Sequence, residues 1–189
     1  DSPTVINIED VELGVNYALV ISTNAGLWRY VIGDTIMFTS LKPYRIKVSG
    51  RTKNYINAFG EEMIIDNAEK AIRIACEKAN AQVKEYTACP IYMDNSTTGG
   101  HQWIIEFEDE PENLDYFAKI LDTALKSINS DYEAKRSNSL TLRPPVIQKV
   151  QKGTFYAWLK SKGKAGGQNK IPRLSNDRKI VDEILELIK

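Results

Sequence analysis

Histidine and cysteine are scarce in this chain: His101, Cys76 and Cys89 are the whole complement among 189 residues. A zinc centre needs a group of such ligands at short spacing, so these three argue against one. Two cysteines, one in a predicted helix and one in a predicted strand, make no disulfide framework. The expected state is a pair of buried, reduced thiols, with a single disulfide as the alternative. No apolar run approaches the roughly 18 residues that would cross a bilayer, so no membrane partner is expected. Neither sign of charge prevails, with 25 Lys and Arg against 25 Asp and Glu. That balance argues against a general polyanion binder, and nucleic acid is not expected as a partner. There is no initiator methionine, and Asp1-Ser2-Pro3-Thr4 does not resemble a signal peptide. The chain is therefore expected to be a piece of a longer, cytoplasmic protein.

What is present supports a packed core, with 42% hydrophobic and 26% charged residues. The first fifty residues read as strands: Tyr17–Ser22, a turn at Thr23-Asn24-Ala25-Gly26, then Leu27–Ile32, Thr35–Ser40 and Tyr44–Val48. After Gly50 helices enter. Asp66 is a candidate cap for a helix with Ala68, Ala71, Ile72, Ala75 and Cys76 on one face. Strands are expected over Val83–Met93 and Gln102–Glu108, and an amphipathic helix over Leu114–Ile128. An edge strand over Pro145–Val150, a short helix over Phe155–Leu159 and a last helix over Arg178–Lys189 complete the order. The fold class is α+β: closing strands over residues 1–49, then a βαββαβ-like, antiparallel-leaning sheet covered by helices over residues 50–189.

Three places have the residues for chemistry. Leu27-Trp28-Arg29-Tyr30-Val31-Ile32 runs into Gly33-Asp34, read as a turn at a strand end. Glycine there lets backbone approach closely and a carboxylate accepts hydrogen bonds from a pair of ribose hydroxyls, although Gly-Asp is also an ordinary strand-ending turn. Second, Gly50-Arg51-Thr52-Lys53 through Phe59-Gly60-Glu61-Glu62 lies where strand-only texture ends. The Arg51 guanidinium is a fork of donors for phosphate or ribose oxygens; the plain alternative is a hairpin with surface charges. Third, Gly166-Gly167-Gln168-Asn169-Lys170-Ile171-Pro172-Arg173 puts Lys170 on a glycine-rich loop, suited to meeting a phosphate. No Gly-Lys-Ser/Thr opens a helix there, so it is not a P-loop, and a solvated basic loop is the alternative.

Taken in order, Gly33-Asp34, Gly50-Arg51 and Lys170 resemble the late motifs of acyl-adenylate-forming enzymes. The fuller resemblance is to the auxin-responsive acyl acid–amido synthetases, the Gretchen Hagen family, and to its bacterial-type members. It is carried by Val11-Glu12-Leu13-Gly14-Val15-Asn16-Tyr17, Ala25-Gly26-Leu27-Trp28-Arg29-Tyr30, Ile32-Gly33-Asp34, Ser49-Gly50-Arg51 and Phe59-Gly60-Glu61-Glu62. Asp131-Tyr132-Glu133-Ala134-Lys135-Arg136 and Gln168-Asn169-Lys170-Ile171-Pro172-Arg173 complete it, so the similarity covers essentially the whole chain. One departure stands out: where the family has tyrosine-arginine before Gly-Asp, this chain has Tyr30-Val31, with Arg29 one place earlier.

The resemblance implies the end of a large N-terminal adenylating domain followed by a small mobile C-terminal domain. It implies that Asp34, with Gly33, holds the ribose of ATP or AMP, that Arg51 assists at the nucleotide, and that Lys53 is the hinge. Lys170 would bridge a substrate carboxylate and the α-phosphate. The implied reaction joins a small carboxylic acid to an amine or amino acid through an acyl-adenylate, with ATP and Mg2+ as cofactors of the intact enzyme. These residues alone would hold no tightly bound cofactor and would be inactive without their own N-terminal domain. The other readings are a stand-alone α+β binding or regulatory module, and an acyl-CoA ligase using a thiol acceptor.

Overall fold

The computed structural model describes residues 4–52, 54–93, 98–137, 141–164, 166 and 169–189, and the chain divides into two units, Asp1–Lys53 and Asn54–Lys189. The first unit is an antiparallel meander of β1 (Asn16–Ile21), β2 (Tyr30–Leu41) and β3 (Tyr44–Arg51), in that order across the sheet. Its strands are rich in β-branched and aromatic residues, which suit a pleated, half-buried surface. Ile36 and Phe38, two residues apart, share one face of β2 and are buried. Tyr17 and Tyr44 pack edge-on against Phe38, with ring centroids 6.2 and 6.0 Å away. The turn at Thr23–Gly26 forms as expected: Gly26 N–H donates to the Thr23 carbonyl at 3.3 Å and Thr23 N–H to that of Leu27 at 2.8 Å. Two expected strands, however, are one. Leu27, Trp28 and Arg29 lie outside the strand, Arg29 taking φ +47, and β2 runs unbroken through Gly33-Asp34.

The second unit opens with a two-stranded pair, β4 (Tyr55–Ile56) and β5 (Met63–Ile64), enclosing Asn57–Glu62. Then come α1 (Ile65–Ala79), β6 (Gln82–Ile91), β7 (Gly100–Asp109), α2 (Leu114–Ile128), α3 (Ser130–Arg136), β8 (Val146–Val150), α4 (Thr154–Ser161) and α5 (Lys179–Leu187). The sheet order is β6-β7-β8, antiparallel between β6 and β7 and parallel between β7 and β8. Helix α1 buries Ala68, Ala71, Ile72 and Ala75, the i, i+3, i+4, i+7 stripe. It starts differently from expectation. Asp66 sits in the first turn, and Asn67 Oδ1 instead accepts from Ile64 N–H at 3.0 Å, since an amide oxygen three residues on can reach back to that donor. At the other end Asn80 is left-handed at φ +48, and its N–H donates to the Cys76 carbonyl.

Strand β7 alternates between two cores. Trp103, Ile105 and Phe107 face a cluster built with α1, α2 and the β4–β5 pair, while Ile104 joins Val150, Phe155, Trp158, Ile171, Val181 and Ile184. Burial on both faces explains the unbroken apolar run Trp103-Ile104-Ile105 at its centre. Strand β8 lies at the margin of the sheet, where the preceding Pro144-Pro145 pair is tolerated. Both cysteines are free thiols, and burial pushes that of Cys89 up to about 12.

Candidate functional site

In the first unit Gly33-Asp34 is a bulge and not a turn. Ala18 pairs with Thr35 and Val20 with Val31, so Leu19 alone faces Ile32-Gly33-Asp34. On the other side Asp34 pairs with Arg51 and Thr35 with Gly50, but Ile36 pairs with Val48, leaving Ser49 as an extra residue. Bulges of this kind re-aim side chains and sharpen strand twist. Gly33 takes φ +88, and a Cβ there would meet nothing nearer than Thr52 Oγ1 at 4.0 Å. Glycine is thus required by the backbone and not by crowding. The Gly33 carbonyl accepts from Thr52 N–H at 2.9 Å and from Thr52 Oγ1 at 3.3 Å, and buried Ser49 bonds Asn16 and Thr35. Asp34, half-buried, is thereby held beside the Gly50-Arg51 backbone. The Arg51 side chain and the expected hinge Lys53 lie outside the described residues.

In the second unit Lys170 is exposed, and among the described residues no carboxylate pairs with its ammonium. Its loop leaves α4 tightly folded: Lys164 N–H reaches the Leu159 carbonyl at 2.9 Å, and Asn169 donates from N–H to Gly166 at 3.0 Å and from Nδ2 to Lys164 at 2.9 Å. Gly167 and Gln168 lie outside the described residues. Beyond Lys170 the chain is fixed again. Ile171 is buried, the Pro172 carbonyl accepts from Thr87 Oγ1 at 2.8 Å, and the Arg173 carbonyl from Ala88 N–H at 2.9 Å. Ser175 N–H returns a bond to the Ala88 carbonyl at 3.0 Å. The Arg173 guanidinium lies over the Tyr86 ring at 4.7 Å, with Nε 3.2 Å from Glu69 and Nη1 paired to Glu85. Burial pulls this guanidinium below its ordinary value, and Glu69 opposes the shift. The start of α4 is fixed by Glu106 of β7, which accepts from Gly153 N–H at 2.9 Å and Phe155 N–H at 3.3 Å.

The block at Phe59–Glu62 joins a buried polar network. Glu61 Oε1 lies 2.8 Å from His101 Nε2, and Oε2 accepts from Phe59 N–H at 2.7 Å. Burial works against the charge of Glu61, but the His101 and backbone hydrogen bonds outweigh it and hold the carboxyl below its ordinary range. A carboxylate only accepts, so Nε2 carries the proton in this pair; His101 Nδ1 is buried without a partner among the described residues. The Phe59 ring occupies the space a Cβ on Gly99 would need, 2.4 Å away, and Lys135 lies over Gly60. Asn129 ties in the next block: Nδ2 donates to the Glu61 carbonyl at 2.8 Å, while Oδ1 accepts from Tyr132 N–H at 2.8 Å to cap α3. Tyr132 Oη and Arg136 then converge on Asp122.

The structure therefore unites Gly33 and Asp34 with the Arg51 backbone, and separately fixes both stems of the Lys170 loop. Reading the sequence did not single out Arg173 or the Glu61–His101 pair as partners. The Phe59–Glu62 and Asn169–Arg173 blocks contain the signal, but their partners stand 40 residues or more away.

A family model described as the GH3 family C-terminal domain matches residues 66–179, and one described as the GH3 family central domain matches residues 1–51. The chain is 28% identical over 187 residues to the indole-3-acetic acid-amido synthetase GH3.4 of Arabidopsis thaliana, covering 92% of this chain and 31% of that protein. It is 25% identical over 208 residues to the 4-substituted benzoates-glutamate ligase GH3.12 of the same plant, covering 98% and 35%. In three dimensions it resembles the GH3.15 acyl acid amido synthetase with a TM-score of 0.69 at 22% identity, covering 96% of this chain and 35% of that one. A second structure, that synthetase in complex with 2,4-DB, gives 0.70 at 21% identity, covering 97% and 34%. The chain spans about a third of the length of the relatives it matches.

Proposed function

The chain belongs to the GH3 family, and on that premise we propose that its parent protein is an ATP-dependent, AMP-forming ligase joining a small carboxylic acid to an amine or amino acid. In the first half-reaction a carboxylate oxygen bonds to the α-phosphorus of ATP as the bond to pyrophosphate breaks. In the second the amine nitrogen attacks the acyl carbon, AMP leaves, and one proton goes to solvent. The observation that carries this reading is the paired bulge, which sets half-buried Asp34 opposite Arg51 on the neighbouring strand, beside Gly50. A carboxylate on rigid strands suits two ribose hydroxyls, and Arg51 would donate to the nucleotide oxygens.

Lys170 would bridge the carboxylate and the α-phosphate, offsetting charge where it accumulates. Its exposed loop with fixed stems supports delivery of one cation to an outside group. Lys53 would be the hinge about which the second unit turns between half-reactions. Mg2+ would arrive on the ATP phosphates. Residues 1–189 alone are expected to be inactive, with the acid and adenine pockets supplied by the parent's own N-terminal domain. No helix among the described residues is long and apolar enough to cross a membrane. We place the parent in the cytoplasm, where ATP is at hand and the free thiols stay reduced.

The test is substrate dependence in the intact parent. Carboxylate and ATP alone should exchange labelled pyrophosphate into ATP, and AMP release should require an amine. Release that answers to coenzyme A and not to amino acids would replace the amide reading with the thioester one.

A further inference from the structure

A cation that bridges two reacting groups must be placed closely, because a misplacement of about 1 Å can cost about a hundredfold in rate. Lys170 is exposed on its loop, so its aim must come from the stems. On the C-terminal side only two residues, Ile171 and Pro172, separate it from a guanidinium held on three sides, by the Tyr86 ring, Glu69 and Glu85. Little slack lies between. Ile171 is inserted into the core, and Pro172 has φ fixed by its ring and its carbonyl tied to Thr87. The arrangement is also costly for what it returns in stability. Arg173 and its two carboxylates are all part-exposed, and such pairs contribute only about 0–1 kcal/mol.

We propose that Arg173 is a positioning residue for Lys170: clamped on Tyr86, Glu69 and Glu85, it fixes the stem that aims the lysine ammonium during adenylation. This rests on the reading that Lys170 acts at the α-phosphate. Arginine is needed because one planar group must stack on a ring and reach two carboxylates from its edge. A lysine at 173 keeps the charge and loses that geometry.

The experiment uses the intact parent carrying Arg173→Gln, Arg173→Lys, Lys170→Ala, or Arg173→Gln with Lys170→Ala, and measures the half-reactions separately. Both Arg173 variants should lower kcat of carboxylate-dependent ATP–pyrophosphate exchange by about tenfold to a hundredfold, with KM for ATP unchanged. Amine-driven consumption of supplied acyl-adenylate should stay near the wild-type rate. The double variant should be no slower in exchange than Lys170→Ala alone, because Arg173 acts through that lysine. Glu69→Gln with Glu85→Gln loosens the clamp but keeps the guanidinium, and should give the same split in milder form.

Wild-type exchange in the Arg173 variants, beside lost exchange in Lys170→Ala, overturns the positioning role and leaves the Lys170 reading standing. Additive losses in the double variant, or equal losses in both half-reactions with a lowered unfolding midpoint, also overturn it. Undiminished exchange in Lys170→Ala sinks the underlying reading, and this proposal with it.

Discussion

Asp122 receives four donors on two oxygens. Tyr132 Oη at 2.8 Å and Arg136 Nε at 2.7 Å meet Oδ1, while Arg136 Nη2 at 2.9 Å and Lys126 Nζ at 3.0 Å meet Oδ2. Burial opposes the charge, but the bonds from Arg136, Lys126 and Tyr132 prevail and hold the carboxyl below its ordinary range. Removing it takes the carboxylate from the Arg136 guanidinium, whose side chain is 7% exposed and which keeps its bond to the Leu142 carbonyl. Asp122→Ala should therefore cost about 3–5 kcal/mol, read as a lower denaturant midpoint at unchanged slope. The pH dependence has a definite sign. Asp122 and Glu61 both have folded values below their unfolded ones. Their stabilisation is complete above about pH 4–4.5 and is lost as pH falls through the lower folded values. Denaturation followed from neutral to acid pH should show that loss in the native chain, and a smaller one in Asp122→Ala. In the parent, Asp34→Asn removes the charge at nearly constant size. Losing charge-assisted bonds of about 1.5–3 kcal/mol should raise KM for ATP in exchange by about tenfold or more; an unchanged KM removes Asp34 from the nucleotide.

At the scale of elements, Asn129 serves two masters, capping α3 through Oδ1 and holding the Glu61 carbonyl through Nδ2. Asn129→Ala should cost about 1–2 kcal/mol for the cap, and further for the carbonyl left without its donor. Thermal unfolding of the native chain against the variant measures it. Loss no larger than a surface substitution would show that the network is dispensable. Helices α1 and α2 were legible because each repeats its apolar signal every 3.6 residues along fifteen positions, and β7 because Trp103-Ile104-Ile105 with Phe107 makes a short apolar run. Helix α3 was not, since seven residues with only Tyr132 buried make no stripe. Gly33-Asp34 has the local chemistry of a turn, yet pairing on both flanks carries the strand through it. The Asp66 cap failed to a neighbour: Asn67 reaches the same helix start. Of the site, Asp34 and Arg51 are visible as residue types directly after glycine, and Lys170 as a cation on a glycine-rich loop. The Arg173 clamp is not, because its carboxylates and ring come from α1 and β6, far back in the sequence.

As a whole molecule, the chain divides after Lys53, and the two parts differ in how well they close their own cores. Residues 54–189 cover both faces of one sheet with helices. Expressed alone, they should unfold in one cooperative transition; a broad, non-cooperative melt would contradict the division. Residues 1–53 bury few side chains, and Trp28, Val31, Ile46 and Val48 are more than half exposed. Alone they should aggregate or stay unfolded. Such a sheet provides a rigid carboxylate, while the other unit provides a lysine on a loop, and the proposed chemistry needs both. The most direct measurement is Lys170→Ala in the intact parent, with the half-reactions assayed separately. Carboxylate-dependent ATP–pyrophosphate exchange should fall by about a hundredfold to a thousandfold, while supplied acyl-adenylate still passes to the amine. Exchange at the wild-type rate would contradict the account.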